Sequence, residues 1–391
     1  MEKQSKTWLW VIGILVVVGV VYLVMTLNSS TPATNESASK GENGPIKIGV
    51  IAPLTGDAAA YGEPLQKVIA LAVEEINNAG GLGGRMFQFT YEDGKCNGKD
   101  GANAMQKLVN IDKVKVVIGG FCSSESLAAV PIATANKVVL FSGGSSSPDL
   151  TNVSSYFLRD YPSDAAQGKV LAEIAYGDKK WRKVVFIQEQ LDYPLGIFKA
   201  FSSNFERLGG QTSKEEFTEG TTDFRSQLTK LRGLKPDALF IDTQTPAAAE
   251  RIFKQLTELK WKVPLLVSDA VTGDPAVVEK NATILEGALA AEFGTDPNNA
   301  TFKHLLEAYK QKHNVDVPYQ SYAQTMYDAV YIVRDGIKAV GYDGEKLALW
   351  SRTIKDWKGA SGLVTIGSDG DRVSGHIGKV IKKGKVEVYG M

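Results

Sequence analysis

Two serine- and glycine-rich clusters hold the residues best suited to chemistry. One reads Gly119-Gly120-Phe121-Cys122-Ser123-Ser124, the other Ser142-Gly143-Gly144-Ser145-Ser146-Ser147-Pro148-Asp149. Each follows a short apolar run and is placed to open a helix, because serine caps helix N-termini and proline suits the first turn. Capping alone would explain one such turn. Two at neighbouring strand ends aim backbone N–H groups, hydroxyls and two helix N-termini at one point, which is a site for a carboxylate or another anion. Gly143 and Gly144 would let a ligand come close to the backbone.

Other chemistries find little support. No G-x-x-x-x-G-K-[ST] stretch occurs, and Gly80–Gly84 falls after a helix and before a strand, the wrong order for a dinucleotide fingerprint. No G-x-S-x-G elbow accompanies the serines. The 3 histidines, His304, His313 and His376, lack metal-ligand spacing. No catalytic residue, metal or cofactor is therefore expected. Lys+Arg and Asp+Glu are equal at 44, so no basic excess is available to hold a nucleic acid. Lys382, Lys383 and Lys385 bracket Gly384 as a solvated hairpin tip. The 2 cysteines are buried thiols or a disulfide, depending on the compartment.

The clusters need a scaffold, and the hydrophobic pattern supplies one. Strands are predicted at Ile46–Leu54, Met86–Glu92, Lys115–Gly119, Val138–Ser142, Lys183–Gln188, Ala238–Thr243 and Leu265–Ser268. Between them lie helical patterns such as Leu65, Val68, Ile69, Ala72, Val73 and Ile76, which repeat every three or four residues. Strands alternating with helices imply an α/β fold of doubly wound parallel sheets, in which ligands sit beyond the C-terminal strand ends. Two helices, about Thr301–Lys312 and Tyr319–Val340, precede strand-like pieces at the C-terminus.

The N-terminus sets the compartment. Lys3 and Lys6 precede Thr7–Leu27, a run without a charged side chain. About 20 apolar residues cross a bilayer, more than most cleaved signals contain. An uncleaved anchor is expected, with a cleaved signal as the alternative. Positive charge before the run keeps the N-terminus inside and the rest of the chain outside. The polar stretch Asn28–Pro45 reads as a flexible linker.

Several stretches, taken in order, carry a family resemblance: IKIGVIAPLTGDAAAYG, EEINNAGGLGGR, YEDGKCNGKDG, VVIGGFCSSES, LFSGGSSSPDL and YAQTMYDAVY. From about Ile46 onward the chain resembles the substrate-binding proteins of branched-chain amino acid ABC transporters, of the type I periplasmic binding fold. The resemblance implies two doubly wound lobes joined by three crossings near Tyr161, Glu292 and Val364. Residues 46–160 with 293–363 would form the first lobe and 161–292 with 364–391 the second, after an anchor or signal (1–28) and a linker (29–45).

The resemblance also implies a Cys96–Cys122 disulfide, closing a loop of roughly 25 residues and contributing about 3 kcal/mol. It implies a pocket in which Ser123 holds a ligand carboxylate, and Gly144 and Ser146, with Ser145 between them, belong to a loop that binds carboxylate and ammonium through backbone and hydroxyl. Tyr61 and Tyr193 would be aromatic walls and Asp269 the counter-ion of a ligand ammonium. Asp269 is one methylene shorter than the family's glutamate. Gln244 stands where leucine-binding members carry a tyrosine, which puts leucine, isoleucine and valine in doubt. The implied function is extracytoplasmic capture of an amino acid or related small carboxylate or amide, without catalysis, for an ABC transporter permease. A membrane-tethered sensor is the alternative.

Overall fold

A computed structural model describes residues Gly44–Gly390; the Thr7–Leu27 run and most of the linker lie outside the described residues. Among the described residues no helix is long and apolar enough to cross a membrane. Strands β1 (Ile46–Ala52), β2 (Phe87–Asp93), β3 (Val116–Ile118), β4 (Val139–Ser142) and β5 (Phe157–Arg159) form a parallel sheet in the order β2-β1-β3-β4-β5. Strands β6 (Lys183–Glu189), β7 (Gln211–Phe217), β8 (Ala238–Asp242), β9 (Leu265–Val267) and β10 (Leu289–Glu292) repeat this order as β7-β6-β8-β9-β10. After a small hairpin of β11 (Trp357–Gly359) and β12 (Gly362–Val364), β13 (Ile377–Lys382) and β14 (Lys385–Val388) extend the second sheet.

The strands read as apolar runs because helices cover both sheet faces. Ile48, Val50, Val184, Phe186, Leu239 and Phe240 are fully buried. The helix Ala59–Asn78 buries Leu65, Val68, Ile69, Ala72 and Ile76, as its periodicity predicts. Helices Ala300–His313 and Gln320–Val340 pack against it, so sequence-distant residues complete the first half.

Several elements depart from expectation. The second sheet is mixed: β13 pairs antiparallel with β10 and with β14. Lys383 and Gly384 take φ of 50° and 72°, a turn that joins only antiparallel neighbours. The edge strand β7, QTSKEEF, fully buries only Phe217 and so carries little strand signal. β5, β10 and the helix Gly344–Ser351 also went unpredicted. The second serine cluster opens only a 3-10 turn, Pro148–Leu150, and no helix. A left-handed Asn152 follows within two residues and turns the chain back toward β5.

The chain passes between the halves three times, in segments 160–163, 293–299 and 365–376. Two reciprocal ion pairs tie the first passage to the third. Arg159 donates to both carboxylate oxygens of Asp371, at 2.7 and 2.8 Å, and Arg372 donates to Asp160 at 2.9 Å.

Candidate ligand-binding site

In each sheet the order switches between its first and third strands, and ligands of open α/β sheets gather at such points. The first half contributes the loops after β1, β3 and β4. Tyr61 lies in the opening turn of the helix after β1, and Ser123 is the first residue of the helix after β3. The Ser123 loop is fixed from beneath. Cys96 and Cys122 form a disulfide with Cα atoms 5.1 Å apart. Glu125 accepts from both their backbone amides, at 2.9 Å each. Burial raises the Glu125 carboxyl to about 7, against the pull of those amides.

The loop after β4 is organised by its own serines. Ser142 Oγ accepts from Gly144 N at 3.2 Å and Ser145 N at 2.9 Å. Ser123 Oγ accepts from Ser146 N at 3.3 Å and Ser147 N at 3.1 Å. The N–H groups expected to be free for an anion are thus held by hydroxyl oxygens. Two of these bonds, at 3.2 and 3.3 Å, are longer than the usual 2.9–3.0 Å and are weak competitors for a carboxylate, which is the stronger acceptor. Ser145 serves the scaffold: its hydroxyl bonds Gly120 O at 2.8 Å and Ser126 Oγ at 2.7 Å. The room expected above Gly144 is taken by protein, since a Cβ there would stand 2.3 Å from the Phe121 ring.

The second half contributes Tyr193 after β6, Gln244 after β8 and Asp269 after β9. Asp269, 1% exposed, accepts hydrogen bonds from Tyr161 and Tyr322 at 2.7 Å each and from Tyr193. A carboxylate has about four lone-pair positions, so one remains open. Close by, His376 and Asp164 face each other at 4.0 Å, both fully buried. Burial, and then the charge of Asp269, holds Asp164 well above the usual carboxylate range, while burial pushes His376 down to about 4. Glu189, raised to about 7 chiefly by burial, accepts from Gln244 N at 2.9 Å.

Between the two sets lies a cavity of about 10 Å³, room for roughly one water. Tyr61, Phe121, Ser123, Gly144 and Ser146 line one side, with Tyr193, Gln244, Ala270 and Tyr322 completing it. Six of the eight residues expected at a ligand are therefore brought together. Ser145 does not line the cavity, and Asp269 reaches it through the hydroxyls of Tyr193 and Tyr322. Tyr61 OH donates to Gln244 O at 3.0 Å, and Tyr319 N to Gly273 O at 2.9 Å, so the halves are bonded directly. Phe121, Tyr161 and Tyr322 were not foreseen as site residues. Tyr322, one helical turn beyond Tyr319 at the start of a helix, left a spacing signal that could have found it. Among the described residues no cluster of His, Cys, Asp and Glu is suited to a metal ion.

Two α/β halves of like strand order, meeting with their polar strand ends over one small cavity, define a two-lobed solute-binding protein. Residues 45–377 match the family described as periplasmic binding protein, and the chain belongs to that family. It is 27% identical over 334 residues to Leu/Ile/Val-binding protein homolog 3 of Brucella melitensis, covering 83% of this chain and 88% of that one. The leucine-binding protein LivK of Thermotoga maritima superposes with a TM-score of 0.80 at 29% identity, covering 88% of this chain and 97% of that one. The branched-chain amino acid transporter substrate-binding protein LivJ of Streptococcus pneumoniae, solved with isoleucine, gives 0.77 at 29%, covering 88% and 98%.

Proposed function

We propose that the protein captures an amino acid outside the cell and presents it to an ABC transporter permease, tethered to the membrane by Thr7–Leu27. The observation that carries this reading is the opposition of chemistries across the cavity. Ser123, Ser146 and the amides of the β4 loop offer donors from one half, and Asp269, held by Tyr161, Tyr193 and Tyr322, offers negative charge from the other. A zwitterion is complementary to both faces at once. A ligand that touches both halves stabilises the closed form, and capture of this kind needs no covalent chemistry. Residues 46–160 with 293–363 and residues 161–292 with 364–391 are the two moving lobes. Relatives named as Leu/Ile/Val-binding proteins support the amino-acid class.

Thermal unfolding against a library of amino acids tests the reading, because a ligand that binds only the native state raises its stability. A rise of several degrees with one or a few amino acids is expected. No shift with any of them would overturn it. Sequencing the mature N-terminus tests the tether: a start between Asn28 and Pro45 would show a cleaved signal.

A further inference from the structure

The cavity wall contains one acceptor that the protein leaves unpaired. Gln244 is 6% exposed, and its Oε1 has no hydrogen-bond partner. The main-chain groups of the same residue are both engaged. Gln244 N donates to Glu189 and Gln244 O accepts from Tyr61, so the main chain is pinned and the side chain is aimed from a fixed point. Gln244 Nε2 lies 3.9 Å from Cys122 Sγ. A disulfide sulfur offers no proton and accepts only weakly, so the amide NH₂ belongs against it and the oxygen faces the cavity. Among the side chains lining the cavity, this oxygen is the buried polar atom without a partner. An orphaned buried acceptor is destabilising, so its place in the wall calls for a donor from elsewhere. The surroundings suit a small polar group: Tyr61 and Phe121 stand with ring centroids 5.3 Å apart beside the disulfide. The free room between the halves is about 10 Å³, so an amino acid enters only as the halves part.

We infer that the ligand is an amino acid whose side chain ends in an N–H or O–H donor, received by Gln244 Oε1. This rests on the amino-acid reading above and adds the class of side chain. Asparagine, serine and threonine belong to the class. Leucine, isoleucine and valine do not, because an alkyl group would leave the buried acceptor unpaired.

Calorimetry with these six amino acids tests the inference on the wild type, Gln244→Met and Gln244→Glu. At least one polar member is expected to bind the wild type ten-fold or more tighter than every aliphatic member. Gln244→Met keeps the length and removes the acceptor, and should erase that preference; Gln244→Glu retains an acceptor and should keep it. Leucine, isoleucine or valine binding as tightly as the best polar ligand would overturn the side-chain inference alone. An unchanged preference in Gln244→Met would also overturn it. Failure of the whole amino-acid library would overturn the amino-acid reading and this inference with it.

Discussion

In the five-stranded half, the segments after β1, β3 and β4 bring Tyr61, Ser123, Gly144 and Ser146 to the cavity. In the seven-stranded half, the strand ends of β6, β8 and β9 carry Glu189, Asp242 and Asp269, all buried. The strand order is the same and the chemistry is opposite. The backbone arrangement therefore decides where the walls stand, and a few residues at the strand ends decide what each wall attracts. The donor wall is also the more rigidly cross-linked, by the Cys96–Cys122 disulfide and the bonds through Glu125.

The sharpest way to break this contrast is Asp269→Asn, which keeps the shape and removes the negative charge. Breaking a buried charge pair costs about 3–5 kcal/mol. Amino-acid affinity measured by calorimetry should therefore fall by about two orders of magnitude or more. Unchanged affinity would mean that no ligand cation sits on this wall. On the donor wall, replacing Cys96 and Cys122 together with serine should lower unfolding stability by about 3 kcal/mol in a urea titration. Ser123→Ala should weaken binding by about 1.5–3 kcal/mol, the range for a hydrogen bond to a charged group. Ser145→Ala should instead lower stability, since its hydroxyl touches Gly120 O and Ser126 and not the cavity. Equal binding losses in both variants would erase the division of labour between the serines.

The buried acids also give the stability a pH dependence. Burial raises Glu125 and Glu189 to about 7 from ordinary values of 4.5. The folded form then holds protons that the unfolded form has released. The stabilisation is complete below about 4.5 and is lost as the pH climbs toward 7, at about 1.4 kcal/mol per unit of raised pKa. Urea midpoints should fall between pH 5 and pH 8, and Glu125→Gln should flatten part of that slope. The smallest effect belongs to Arg251→Ala. It removes a half-exposed pair with Asp57, 2.9 Å long, at the rim between the halves. Surface pairs contribute about 0–1 kcal/mol, so affinity should change by less than a few fold.

Much of this site was legible because loop chemistry is local. Serines and glycines directly after apolar runs mark polar strand ends whatever the rest of the chain does. Tyr61, Ser123, Gly144, Ser146, Tyr193 and Gln244 fall around one cavity for that reason. What local reasoning missed depends on distant partners. Nothing near Ser123 announces that its oxygen would accept from Ser146 and Ser147. Asp269 looks like a loop acid until Tyr161, Tyr193 and Tyr322 arrive from three other segments. The strand β7 escaped notice because an edge strand with a solvated pattern leaves almost no apolar alternation to read.

The crossed pairs Arg159–Asp371 and Arg372–Asp160 constrain the order in which the protein can be completed. Arg159 ends β5, yet its carboxylate partner lies 212 residues downstream. Arg159 also donates to Ser147 O at 2.8 Å, so the loop carrying the site hangs on the same guanidinium. Until residue 371 has been synthesised, burying Arg159 would strand an uncompensated charge. A growing chain is thereby discouraged from settling its first sheet early, although every strand of that sheet has already been made. Loss of the last tenth of the sequence to a protease would leave Arg159, at the end of the first sheet, without its carboxylate partner. The carboxyl-terminal segment thus serves as the closing stitch of a region encoded near the beginning.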